Sequence, residues 1–130
     1  MIVLDSSFLV ALFDESDSFH KKAIKDMQEY EKKGEQFAIS ESILGETATV
    51  ILYHSGLKQA SAFLDFANEN FSILWTDGKE ELSGISVVFK NQKRQLSYAD
   101  SSVVYFCRRA GGNPATYDKN ILRELEPRKV

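Results

Sequence analysis

Four acids offer the most chemistry in this chain: Asp5, Glu46, Asp100 and Asp118. Asp5 ends the apolar run Ile2-Val3-Leu4, and Asp118 ends the run Ala115-Thr116-Tyr117. Asp100 falls in the first turn of a helix that Ser97 can cap. Glu46 lies early in a helix opened by Ser40 or Ser42. If the apolar runs are parallel strands, all four acids map to the carboxyl edge of one sheet. Open α/β sheets bind their ligands at that edge. Carboxylates gathered there repel one another, and their pKa values rise unless a cation binds. Hard oxygen ligands suit Mg²⁺ or Mn²⁺, and no Cys/His cluster offers a zinc site. Metal held this way orients and activates a water and stabilises charge growing on a phosphoryl group. The chemistry implied is phosphodiester hydrolysis without a protein nucleophile. Ser7, two residues past Asp5, could add a hydroxyl to the metal shell or to a phosphate.

Each of these residues also has a plainer reading. Asp5 can be a helix N-cap and Ser7 a helix-start hydroxyl. Glu46 can be a solvated glutamate favoured by a helix dipole. Ser97 and Asp100 have the spacing of a capping box. Asp77, at the end of Phe71 to Trp75, reads first as a cap. The basic residues Lys90, Lys93 and Arg94 lead directly into the Asp100 helix. They are either a solvated loop or the rim that guides a phosphate backbone, with Lys93 and Arg94 as candidate contacts.

The elements that must position the acids follow from periodicity. Ile2 to Leu4, Phe37 to Ile39, Phe71 to Trp75 and Ala115 to Tyr117 read as short buried strands. Phe8 to Phe13 continues as a short helix. Phe19, Ala23, Ile24, Met27 and Tyr30 recur at helical spacing, with Ser16 or Asp17 as the cap and Gly34 as the stop. Helices are expected over 42–54, ending at Gly56, and over 58–68. Leu82, Ile85, Val88 and Phe89 mark another. The Asp100 helix stops at Gly111-Gly112, and Pro114 bars its return. A last turn or two is expected over 119–126, with a charged tail beyond Pro127. Strands alternating with helices indicate an α/β fold: one three-layer domain, residues 1–130, with a mainly parallel sheet of four or five strands.

Composition agrees and excludes several classes. The chain has 130 residues and 43% hydrophobic content, enough for one core and too much for a disordered chain. No apolar run approaches a membrane span, and the first residues carry no basic leader. The single cysteine, Cys107, fits a reducing cytoplasm and a buried packing role. His20 and His54 read as surface residues. The net charge of −3 is unusual for a nucleic-acid binder, an objection that weakens where metal neutralises clustered acids. Tyr53, Phe63 and Phe66 give the helices at 42–54 and 58–68 surplus apolar surface; the aromatics of 58–68 read first as core packing and second as an interface, and self-association is expected there.

The segments Ile-Val-Leu-Asp-Ser-Ser-Phe-Leu-Val, the Glu46 helix, Leu-Ser-Tyr-Ala-Asp-Ser-Ser-Val and Ala-Thr-Tyr-Asp-Lys-Asn together resemble PIN domains. Most of all they resemble the short VapC-type toxins of prokaryotic toxin–antitoxin pairs. The resemblance spans essentially the whole chain and rests on the order and spacing of the motifs. It implies a metal-dependent ribonuclease whose acids are Asp5, Glu46, Asp100 and Asp118, with metal on Asp5, Asp100 and Asp118. It matches Ser7 to the common Ser/Thr after the first acid and Thr116 to the threonine before the last. It further implies RNA as substrate, a small antitoxin as partner, and a homodimer. Asn120 and Ile121 depart from the Asp and Phe that many relatives carry after the last motif. Three functions stay open: a toxin ribonuclease, a PIN-like nuclease of RNA processing or decay without an antitoxin, and a non-catalytic receiver-like or degenerate scaffold. Asp5 has no acidic neighbour, which counts against a receiver.

Overall fold

Ile2, Val3 and Leu4 are buried at every position and form strand β1 (Ile2–Leu4). A strand buried on both faces must be central, and β1 pairs in parallel with β2 (Phe37–Ser40) on one side and β4 (Asn113–Ala115) on the other. β3 (Ser72–Leu74) adds to β2, again in parallel. The order is β3-β2-β1-β4 in this computed structural model, which describes residues 1–127. Four parallel strands fall at the lower end of the expected four or five. The charged tail beyond Pro127 lies outside the described residues.

Seven helices among the described residues flank the sheet: α1 (Ser6–Phe13), α2 (His20–Lys32), α3 (Glu41–Ser55), α4 (Leu57–Asn70), α5 (Lys79–Asn91), α6 (Tyr98–Ala110) and α7 (Lys119–Leu125). Their ends follow local chemistry. Ser40 caps α3 by accepting a bond from the Ile43 N–H at 3.1 Å. Ser97 and Asp100 form the expected capping box at the start of α6. Gly111 ends α6 in the left-handed conformation, φ 66°, where a Cβ is disfavoured. α6 lies over β1, β2 and β4. Its buried Ser102 accepts a bond from the Ser40 hydroxyl at 2.7 Å, joining the start of α3 to the middle of the layer.

Several expectations change at element ends. The last strand is Asn113–Ala115 rather than Ala115 to Tyr117. β4 is an edge strand, so Pro114, which has no N–H to give, is tolerated within it. α2 starts at His20, and neither Ser16 nor Asp17 caps it in the ordinary way. Asp17 instead accepts a bond from the Phe19 N–H at 2.8 Å in the turn before the helix. Asp77 does not cap α5, whose N-cap is Gly78. Phe63 is 0% exposed and stacks edge-on to Phe13 at 5.4 Å. It is therefore core, whereas Tyr53 (80% exposed) and Leu57 (71%) leave apolar surface on the α3–α4 pair. Cys107 is buried and burial pushes its thiol up to about 12, as suits a packing residue. No helix of the described residues is long and apolar enough to cross a membrane.

The α5–α6 contact sets a clear test. A Cβ placed on Gly84 would lie 2.1 Å from the Tyr105 ring. Tyr105 is itself held, edge-on to Phe106 at 5.1 Å and bonded by Arg109 at 2.8 Å. Gly84→Ala gains roughly 1 kcal/mol of helix propensity. Overpacking costs about 1–3 kcal/mol, and at such a distance the upper end applies. The variant is expected to be less stable by about 1–2 kcal/mol in urea titration. In a Tyr105→Ala background the sign should reverse, because only the helix gain remains. The same loss in both backgrounds would show that the ring does not set the α5–α6 spacing.

Candidate active site

β1 is the point at which strand order reverses. The chain steps outward from β1 to β2 and β3, then returns to the far side of β1 as β4. Such a switch leaves a crevice beyond the carboxyl ends of the two diverging strands. Asp5 follows β1 directly, and its N–H bonds the Ala115 carbonyl of β4 at 3.0 Å. The crevice holds Asp5, Asp100 and Asp118, with Ser7, Asp17, Phe19, Val50 and Tyr117 around them, and has a volume of about 340 Å³.

Asp5 is the centre of this arrangement. It is only 1% exposed. One oxygen, Oδ2, accepts bonds from the Ser7 hydroxyl at 2.6 Å and the Thr116 hydroxyl at 2.6 Å. Those hydroxyl oxygens are in turn bonded by the N–H groups of Tyr117 at 3.0 Å and Asp118 at 2.9 Å. The other oxygen, Oδ1, is buried and has no hydrogen-bond partner. Burial raises the Asp5 pKa, outweighing the bonds from Ser7, Thr116 and the backbone that lower it. Asp100 is raised too, first by burial and then by the charges of Asp5 and Asp118, while its bonds with Ser97 oppose the shift.

The three acids share one geometry. Each also serves the start of a helix. Asp5 caps α1, Asp118 caps α7 by accepting the Asn120 N–H at 2.8 Å on Oδ1, and Asp100 accepts the Ser97 N–H at 3.1 Å on Oδ2. In each, one carboxylate oxygen serves the chain and the other makes no hydrogen bond among the described residues. The plain and the chemical readings of these acids are therefore compatible. Bare carboxylate oxygens at one crevice fit a hard divalent cation. Among the described residues no three His, Cys, Asp or Glu side chains converge into a ready cage. Mg²⁺ does not need one, because it commonly keeps waters and takes one or two carboxylates plus substrate phosphate.

The remaining expected residues are placed differently. Glu46 is half-buried on α3 and does not line the crevice; Val50, one turn later, does. The Ser7 and Thr116 hydroxyls donate to Asp5, which makes them positioning groups rather than free hydroxyls facing a substrate. Lys93 and Arg94 line a separate recess with Arg123 and Glu124. Asp17 and Phe19, read from sequence only as a cap and a core residue, stand at the crevice instead. Their placement depends on the conformation of the 14–19 loop, for which no periodic pattern exists.

The raised pKa of Asp5 makes a signed prediction. A carboxyl raised above its unfolded value, 3.8, carries a penalty at neutral pH. Its stabilising contribution is complete below pH 3.8 and is lost as pH rises through the folded value. Asp5→Asn should therefore melt above the parent at pH 7 in EDTA, with the difference shrinking to nothing near pH 3.8. A melting difference that stays constant between pH 3.5 and 8 would contradict a penalised carboxylate.

The sequence was compared with known proteins. The family model for the PIN domain matches residues 2–126. No curated protein matches the sequence. Among solved structures, the fold is similar to Mycobacterium tuberculosis VapC20, described as a Sarcin-Ricin loop cleaving toxin. That match has a TM-score of 0.80 at 21% identity, over 95% of this chain and 94% of the other. It is also similar to VapBC2 from Rickettsia felis bound to a DNA fragment from their promoter, with TM-score 0.70, 12% identity and coverage of 95% and 92%. FitAcB from Neisseria gonorrhoeae follows at TM-score 0.66 and 14% identity, covering 96% and 93%. With a family model spanning nearly all of the described residues and a switch-point crevice that gathers Asp5, Asp100 and Asp118, the chain belongs to the PIN domain family.

Proposed function

We propose that this chain is a metal-dependent endoribonuclease, the toxin of a toxin–antitoxin pair, acting in the cytoplasm. The observation that carries the reading is Asp5: a buried carboxylate with one oxygen locked and one bare, in a crevice shared with Asp100 and Asp118. Asp5, Asp100 and Asp118 would hold Mg²⁺ or Mn²⁺ through their bare oxygens. When bound, the metal supplies charge stabilisation at a scissile phosphate and a more acidic water. Ser7 and Thr116 keep Asp5 in one rotamer and leave only Oδ1 to act. The Ser97 N–H bond to Asp100 Oδ2 would keep that carboxylate in place and leave its other oxygen for the metal. Glu46 remains the fourth acid of the proposal, approaching from α3. Lys93 and Arg94 stay candidates for guiding RNA along a path outside the crevice.

The toxin part draws on the resemblance of the sequence motifs to VapC-type toxins and on the fold shared with VapC20, which is described as a toxin. A small antitoxin and a second copy of the chain are the proposed partners. Tyr53 and Leu57 on α3 and α4 are the surface proposed for self-association. A non-catalytic scaffold would have no use for a bare buried carboxylate oxygen, whose burial costs free energy.

Purified protein should cleave RNA with Mg²⁺ or Mn²⁺ and stop in excess EDTA. Asp5→Asn and Asp100→Asn should each lower the rate by about a hundredfold or more while keeping the far-UV spectrum. Ser7→Ala and Thr116→Ala should act through Asp5, weakening apparent metal affinity or activity roughly 10–100-fold. Wild-type rates in EDTA would remove the metal, and wild-type rates for Asp5→Asn would remove the site.

A further inference from the structure

Beside the acidic crevice lies a larger recess of about 480 Å³. Ligand pockets commonly run to roughly 300–1,000 Å³. Its inner wall is aromatic, made by Phe8, Tyr30 and Tyr117, and Lys33 and Lys119 stand exposed on its rim. Two residues, Phe19 and Tyr117, line both this recess and the crevice. Their rings stack in parallel, with centroids 4.7 Å apart and planes 13° from each other. Tyr117 is fixed further by its hydroxyl bond to Asp26 at 2.8 Å.

Phe19 is the unusual member. It stands at the N-cap of α2 and makes no capping bond there. One face lies on Tyr117, yet 45% of the residue is exposed. Its other face is thus open to water, on the ridge between an anionic crevice and a recess rimmed by lysines. The charges on that recess are sorted. Asp26 is engaged by Lys22 at 2.8 Å and by Tyr117. Lys33 and Lys119 make no ion pair among the described residues, and of the lining acids only Glu29 opposes them. An open aromatic face beside unpaired cations is the arrangement by which proteins take single-stranded nucleic acid, the ring stacking a base and the cations following the phosphates.

We propose that Phe19 stacks the base of the nucleotide next to the scissile phosphate, with that nucleotide seated in the Phe8–Tyr30–Tyr117 recess and its outer phosphate between Lys33 and Lys119. The inference deepens the ribonuclease reading and rests on it for the position of the scissile phosphate. The stacking itself needs no cleavage. Single-stranded RNA is the occupant, because the recess adjoins, across Phe19 and Tyr117, the crevice in which a phosphodiester would be cut.

The test uses RNA hexamers carrying one 2-aminopurine, moved through each position, with Mg²⁺ and the Asp118→Asn protein to slow cleavage. Stacking on an aromatic ring quenches this base. Quenching is expected at one position, together with a loss of roughly tenfold or more in affinity for Phe19→Ala. Phe19→Leu keeps apolar bulk without a π-face and should lose the quenching too; Phe19→Trp should keep it. Lys33→Ala with Lys119→Ala should flatten the salt dependence by about 1.4, two contacts at roughly 0.7 each for a single strand. Equal affinity and equal quenching in Phe19→Leu and its parent would overturn the subsite, as would failure to bind RNA at all. Phe19-dependent quenching in a protein that never cleaves would support the subsite while removing the ribonuclease reading. Wild-type cleavage with KM unchanged by Phe19→Leu would remove the subsite and leave the ribonuclease.

Discussion

Two hydroxyl-to-carboxylate bonds hold this structure's site together. Ser7, in the first turn of α1, and Thr116, just past β4, both donate to Asp5 Oδ2. The bonds are short, as expected where the acceptor is ionised. They do more than orient one side chain. Through Tyr117 and Asp118 N–H groups the same hydroxyls fix the turn that follows β4, and so the entry of α7. The end of the central strand, the start of its helix and the return of the edge strand are thus joined at one carboxylate. A substitution there reaches all three.

The acids that sequence placed best are those whose position follows from a strand end. Asp5 directly follows β1 and Asp100 opens a helix with an evident cap, so a parallel sheet brings them to one edge; Asp118 arrives there through the turn after β4, three residues past the strand's end. Placement is less legible where it depends on how far along a helix a residue sits. Glu46 is the sixth residue of α3, far enough from the helix start that Val50, not Glu46, meets the crevice. Lys93 and Arg94 precede the Asp100 helix in sequence, but the loop turns them toward α7. Phe63 could be read as core or as interface from its spacing, and it is core because Phe13 on α1 meets it. Such contacts between elements distant in sequence leave no periodic trace.

The 14–19 loop shows the same limit from the other side. Asp14 and Asp17 each fold the loop on itself, accepting the Ser16 N–H at 3.0 Å and the Phe19 N–H at 2.8 Å. These Asx turns decide that Phe19 emerges at the crevice rather than beneath α2. Its apolar character had matched the helical spacing of Ala23 and Met27, which are indeed buried. One residue before the helix begins, that spacing no longer applies.

The like charges of Asp5, Asp100 and Asp118 need compensation, and the fold provides it in the same way for each. Asp5 and Asp118 are the N-caps of α1 and α7, and Asp100 lies in the first turn of α6. A helix N-terminus carries roughly half a positive charge, which favours a carboxylate by about 0.3–1 kcal/mol at exposed sites and more where partly buried. The compensation is incomplete, since burial still raises Asp5 and Asp100. That residue of unfavourable charge distinguishes a site from a set of caps. A cap alone needs one oxygen and gains nothing from being buried beside two other acids. Ser97, capping α6 without charge, shows that a neutral hydroxyl suffices for the structural task. Each acid thus keeps a second oxygen that its structural task does not use, and the helix termini make its placement tolerable.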